Sequence, residues 1–231
     1  NGTGVTNKDL FQMYGGSITG NDCGVDNLTG TFTMYDGSIA GNQNTKNNSY
    51  GKGGGVCVES GAFDMHGGSI TGNAVSGSYQ SYGGGVFVDS GCRFTMDGGS
   101  ITGNTAGDYG GGVYVTGTNS TFNMYGGTIS DNSASQGGGV FVSTQHFTVS
   151  GNAKITDNTN NGASEKNNVY LNYSGTSIQI GTEGLQSGAK IGVTTYATPS
   201  NSAPVTIVSS DAKAGYEEYF TSDKEGCYPV Y

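Results

Sequence analysis

Three groups of side chains in this sequence are of types that could do chemistry. The first is Asp64, His66 and Asp97. His66 follows Asp64 by two residues, and Asp97 takes the His66 position in the next copy of the same block. An imidazole among carboxylates can hold a metal or act as a general acid–base, and it can equally be a solvated polar patch, which is the preferred reading. The second is Glu59 with Asp89, each placed directly after a Val-x-Val triplet. Carboxylates facing each other are unfavourable unless one is protonated or a cation lies between them. Calcium is the oxygen-ligated ion that such a pair would take. The Gly-Gly-x-Gly-x-Asp calcium nonapeptide is absent, however, and two carboxylates make a poor site. Splaying into solvent is therefore the reading adopted, and no cofactor is expected. The third group is aromatic. Phe87, Tyr114, Phe141 and Tyr170 sit at the centres of equivalent triplets, with Tyr50, Tyr79, Tyr82 and Tyr109 in the stretches just before them. Exposed aromatic rings stack on sugar rings, which makes Tyr82, Phe87, Tyr109, Tyr114 and Phe141 the candidate ligand-binding set. The competing reading is cross-strand aromatic pairing beneath the loops.

Positions in such groups have meaning only if a repeat brings them together, and the repeat is plain. The block Phe-x-Met-x-Gly-Gly-Ser-Ile-Thr-Gly-Asn recurs from Phe11, Phe32, Phe63, Phe94 and Phe122, with a degraded copy at Phe147. A second block, Gly-Gly-Gly-Val-x-Val, begins at Gly53, Gly83, Gly110 and Gly137, with weaker versions at 2–5, 24–25 and 167–170. Period-two alternation within each block, as in Val56-Cys57-Val58, is the signature of strands, and the glycines between them permit tight bends. One repeat is too small to bury its own apolar face, so the copies must stack, each strand pairing with its equivalent one coil away. Inward ladders follow: Val56, Val86, Val113 and Val140; Phe63, Phe94 and Phe122; Ile70, Ile101 and Ile129. Asn21, Asn42, Asn73, Asn104, Asn132 and Asn158 close each block at one corner, where stacked amides can satisfy buried polar groups. The fold class expected is all-β, a right-handed parallel β-helix over 1–195, with 196–231 as a C-terminal capping segment. The Ser-Ile-Thr strands would also present a grid of hydroxyls (Ser17, Ser69, Ser100, Thr19, Thr71, Thr102), interrupted by Ala40 and Lys154 and ordinary for a solvated sheet face.

Composition narrows the function classes. The chain of 231 residues carries a formal net charge of −9, and Arg93 is its one arginine. Nucleic-acid binding and attraction to an anionic membrane both need clustered basic residues, so both are excluded. No apolar run is long enough to span a bilayer. With 44 glycines and only 12% charged residues, the surface must be mostly Ser, Thr, Asn and Gly. Cys23, Cys57, Cys92 and Cys227 show no CxxC spacing, and both disulfide pairing and buried thiols remain open. The chain opens directly into repeat-like sequence, as expected of a piece of something longer.

Blocks such as FTMDGGSITGN and GGGVYV resemble the parallel β-helix repeats of large surface proteins from Gram-positive, often gut-dwelling, bacteria. The resemblance covers roughly 1–195, and the segment 219–231, YFTSDKEGCYPVY, is similar to the one that often ends such helices. It implies a secreted, wall-attached modular protein, monomeric within a longer chain, that meets glycans or a host surface. It carries no catalytic motif. Polysaccharide-cleaving β-helix enzymes use a calcium cluster with a basic residue or several closely set Asp residues, and this sequence matches neither pattern well. The stretches from Ile39 to Val56 and from Ile70 to Val86 are much longer than that from Ile18 to Val25. Coil length therefore varies at one edge, where repeat proteins usually bind. The expected function is adhesion or carbohydrate binding without catalysis, with a structural spacer or a polysaccharide-active enzyme as alternatives.

Overall fold

The computed structural model describes residues 2–45, 51–77, 79–161, 165–200, 202–209 and 215–227. Tyr50 and the last residues of the expected capping segment, 228–231, lie outside them. The chain is an all-β parallel solenoid of about six turns. The middle repeats each contribute three short strands to one parallel sheet, while in the first two repeats the ten-residue strands Leu10–Thr19 and Thr31–Ala40 run through the second and third faces; each strand pairs with its counterpart a coil away. On the first face Val56–Val58, Val86–Val88, Val113–Thr116, Val140–Ser143 and Val169–Leu171 run in register, Val on Val until Leu171. On the second, Phe32, Phe63, Phe94, Phe122 and Phe147 align, with Met34, Met65, Met96, Met124 and Val149 beside them. On the third, Ile39, Ile70, Ile101, Ile129, Ile155 and Ile191 form the column. All of these side chains are buried, and they fill the solenoid as one core. The core phenylalanines stack with centroids 4.7–5.0 Å apart, the separation that coil spacing imposes.

The glycines before each Val-x-Val strand are required sterically. Gly53 has φ +57°, a left-handed conformation that a side chain would strain. Two residues on, a Cβ on Gly55 would stand 2.6 Å from the Gly85 carbonyl oxygen of the next coil. Gly24, Gly85 and Gly112 meet the same obstruction.

Asparagine closes the adjoining corner. The Asn73 side chain donates 2.9 Å to Asn104 Oδ1, Asn104 donates 2.9 Å to Asn132, and Asn132 donates 2.9 Å to Asn158. Each of these oxygens also accepts the backbone N–H of the preceding asparagine. The amides of Asn104 and Asn132 donate further to the Ile70 and Ile101 carbonyls. The column runs two steps beyond the asparagines expected from the repeat. Asn158 donates to Asn168, which stands where the third glycine of the Gly-Gly-Gly block would be. Asn168 then donates from its amide and its backbone to the two carboxylate oxygens of Asp223, both at 2.6 Å.

Within the expected capping segment a further strand joins the solenoid. Phe220–Ser222 pairs in parallel with Ile191, Gly192 and Val193, and Phe220 is buried. None of the four cysteines is in a disulfide; Cys23, Cys57 and Cys92 are buried and Cys227 is partly so. Among the described residues no helix is long and apolar enough to cross a membrane.

Candidate functional site

The loop edge holds two layers of aromatic rings. Phe87, Tyr114, Phe141 and Tyr170 are in register, with successive centroids 5.6, 5.4 and 5.4 Å apart and near-parallel planes. Tyr82 and Tyr109 form a second column over them. Tyr82 meets the Phe87 ring at 57°, and Tyr109 meets Phe141 edge-on with centroids 4.9 Å apart. The Lys52 ammonium lies 4.8 Å from the Phe87 centroid on the same side. As a result Phe87 is only 2% exposed and Phe141 3%. The expected row of presented ring faces is therefore corrected at these two positions: Phe141 lies between the Tyr114 and Tyr170 rings, Phe87 stacks on Tyr114 with the Lys52 ammonium also over its ring, and Tyr82 and Tyr109 pack against them. Tyr82, Tyr109 and Tyr114 keep part of their surface, and burial pushes the Tyr114 hydroxyl's pKa up. Tyr82 donates a short hydrogen bond to the Gln80 side chain.

Asp64, His66 and Asp97 occupy neighbouring outward positions but do not converge as one group. His66 Nδ1 is 2.8 Å from Asp97 Oδ2, while Asp64 accepts from Arg93 at 3.1 Å. His66 also stacks on Tyr35, and Tyr35 on Tyr14, with centroids 5.2 and 4.7 Å apart. Tyr14 and Tyr35 are exposed. They stand in the same outward column, one residue after the inward Met, which sequence reasoning used for His66 and Asp97 but did not follow upward. These are two separate pairwise contacts, and surface pairs of this kind contribute little to stability.

Asp89 is engaged by Lys52 at 3.0 Å. Glu59 instead groups with two residues that were not paired with it from sequence. Its carboxylate, a carboxylate oxygen of Asp26 and the Cys57 sulfur lie within 4.8 Å of one another.

Two concavities lie elsewhere. One, of about 560 Å³, is lined by Thr116, Thr118, Asn119, Gln145, His146 and Tyr173 among others. A smaller one, also lined by Tyr173, reaches Tyr196, Thr176 and Val205. Tyr173 is 39% exposed and Tyr196 44%. Tyr173 follows the Val169–Leu171 strand where the repeat becomes irregular, so no column drew attention to it. No protein-family model matches this chain, and neither a curated protein nor a solved structure is significantly similar to it.

Proposed function

We propose that this solenoid is a non-catalytic module of an extracellular cell-surface protein, adhesin-like in character, that binds carbohydrate weakly. The observation that supports it is Tyr173, an exposed ring that lines two concavities in which hydroxyl and amide groups stand beside apolar ones. A sugar offers an apolar ring face to a tyrosine and hydroxyls to Thr, Asn and Gln, so this mixture suits it. The low content of charged residues fits an uncharged ligand. The repeat's likeness to surface proteins of Gram-positive bacteria supports a location outside the cell. Tyr82, Tyr109 and Tyr114 would give secondary contacts along the loop edge. A shallow face buries little area, so one module binds weakly, and neighbouring modules would add avidity.

A glycan-array screen of the purified domain, repeated with Tyr173→Ala, tests this reading. Retention of a glycan by the parent and its loss in the variant, with the melting temperature kept, is the outcome expected. Retention by both would move the site to the loop edge. If no glycan were retained at all, the structural-spacer reading would replace it.

A further inference from the structure

We propose that Asp26, Cys57 and Glu59 form a binding site for a thiophilic divalent cation of the zinc type. The placement follows from the solenoid itself. Asp26 and Cys57 are register partners on adjacent coils, so their side chains leave the sheet on the same side, one strand-spacing apart. Glu59 follows Cys57 by two residues and therefore shares that face. The same outward column carries Phe87, Tyr114 and Phe141 in the later coils. Metal-ligating side chains thus replace the ring stack at this end of the column.

The three potential ligand atoms are all within 4.8 Å of one another. A tetrahedral zinc with one sulfur and two oxygen ligands needs them about 3.3–3.7 Å apart, given its usual bond lengths. Small rotamer adjustments cover that difference. The second observation is the thiol. Cys57 is 4% exposed and, among the described residues, its sulfur makes no hydrogen bond, although it points into the same cluster as the two carboxylates. Lys52 lies beside the group but gives its ion pair to Asp89. Cys23 packs against Cys57 in the same small buried patch but donates to the Val25 carbonyl, so it is left out of the ligand set. A thiolate selects a borderline or soft cation over calcium, which prefers an all-oxygen shell of six or more ligands. Binding displaces the Cys57 proton to solvent and leaves a metal–thiolate bond. Three protein ligands leave a fourth position for water.

Cobalt(II) tests the site, because a thiolate–cobalt bond absorbs in the near ultraviolet. Titrating the reduced domain with Co²⁺ should produce that band, and zinc should abolish it by displacement. Cys57→Val should lose the band, Cys92→Val should keep it, and Glu59→Gln should weaken binding at least about tenfold. Glu59 is exposed, so its variant tests the site even if Cys57→Val fails to fold. Absence of the band in the parent, its persistence in Cys57→Val, or displacement of cobalt by calcium at similar concentration would each overturn the proposal.

Discussion

The loop edge and the groove at Tyr173 are built from the same kinds of residue and put them to opposite uses. At the edge, an aromatic recurs once per coil, and coil spacing is close to the thickness of a ring. Phe87, Tyr114, Phe141 and Tyr170 therefore cover one another's faces, and the tyrosines above cover what is left. At the groove, the coil is irregular, Tyr173 has no counterpart one turn away, and a ring surface stays open. Repetition in a solenoid converts aromatic residues into core. A break in the repeat makes them available to a ligand.

Mutation should separate the two regions sharply. Phe87→Ala removes a nearly fully buried ring that is stacked on Tyr114 and capped by Tyr82, and should cost about 3–5 kcal/mol in chemical denaturation. Tyr173→Ala should change stability by less than about 0.5 kcal/mol, as is usual for a surface site. Equal losses in the two variants would mean that Tyr173 is part of the core and that the contrast is wrong.

The polar corner sharpens the same contrast, because there repetition makes amides structural. Asn104→Ala strands one N–H of the Asn73 amide (the other keeps the Ile39 carbonyl), the Asn73 backbone N–H and one acceptor site on the Ile70 carbonyl, all buried. A loss of about 3 kcal/mol is expected, read as a lower denaturation midpoint at unchanged slope. Asn21→Ala, at the partly exposed first rung, should cost far less, since water can replace its partners. Similar costs at both rungs would show that the column is stabilised by burial of the chain around it and not by its own hydrogen bonds.

The sequence makes legible whatever recurs. The Val, Phe and Ile columns and the asparagine corner follow from period two inside a block and from the spacing between blocks. Two kinds of feature escape that logic. The first depends on a distance that no period records: that stacked rings cover each other's faces and that Tyr82 and Tyr109 pack against them at an angle. The second sits where a column changes residue type. Asp26, Cys57 and Phe87 share one column, but the weak copy at 24–25 hides the alignment, so the repeat points Glu59 to Asp89 and not to Asp26 and Cys57. Asn168 likewise stands in a glycine place while its side chain takes the next asparagine rung. Tyr173 belongs to neither kind, because it has no column at all.

The smallest expected effect concerns the last rung, where a carboxylate takes the place of an amide. Asp223 accepts from the Asn168 backbone and side chain and from the Thr194 hydroxyl at 2.9 Å. Burial raises its pKa above the ordinary 3.8, against the opposing pull of these hydrogen bonds. A carboxyl group whose folded pKa is raised favours the folded state most fully below its ordinary value. That contribution is lost as the pH rises through the raised folded value. Removing the charge should therefore flatten this part of the stability–pH curve. Asp223→Asn is the suitable change, because in every earlier rung one amide oxygen accepts both donors of the preceding asparagine. Relative to the parent, Asp223→Asn should be slightly the more stable at neutral pH, and the two should converge or cross as the pH falls below the raised value. Asp223→Ala, which leaves the Asn168 amide without an acceptor, should instead be less stable than both across the range. If Asp223→Asn tracked Asp223→Ala at neutral pH, the negative charge itself would be what terminates the asparagine column, with the dipoles of the stacked amides as the physical reason.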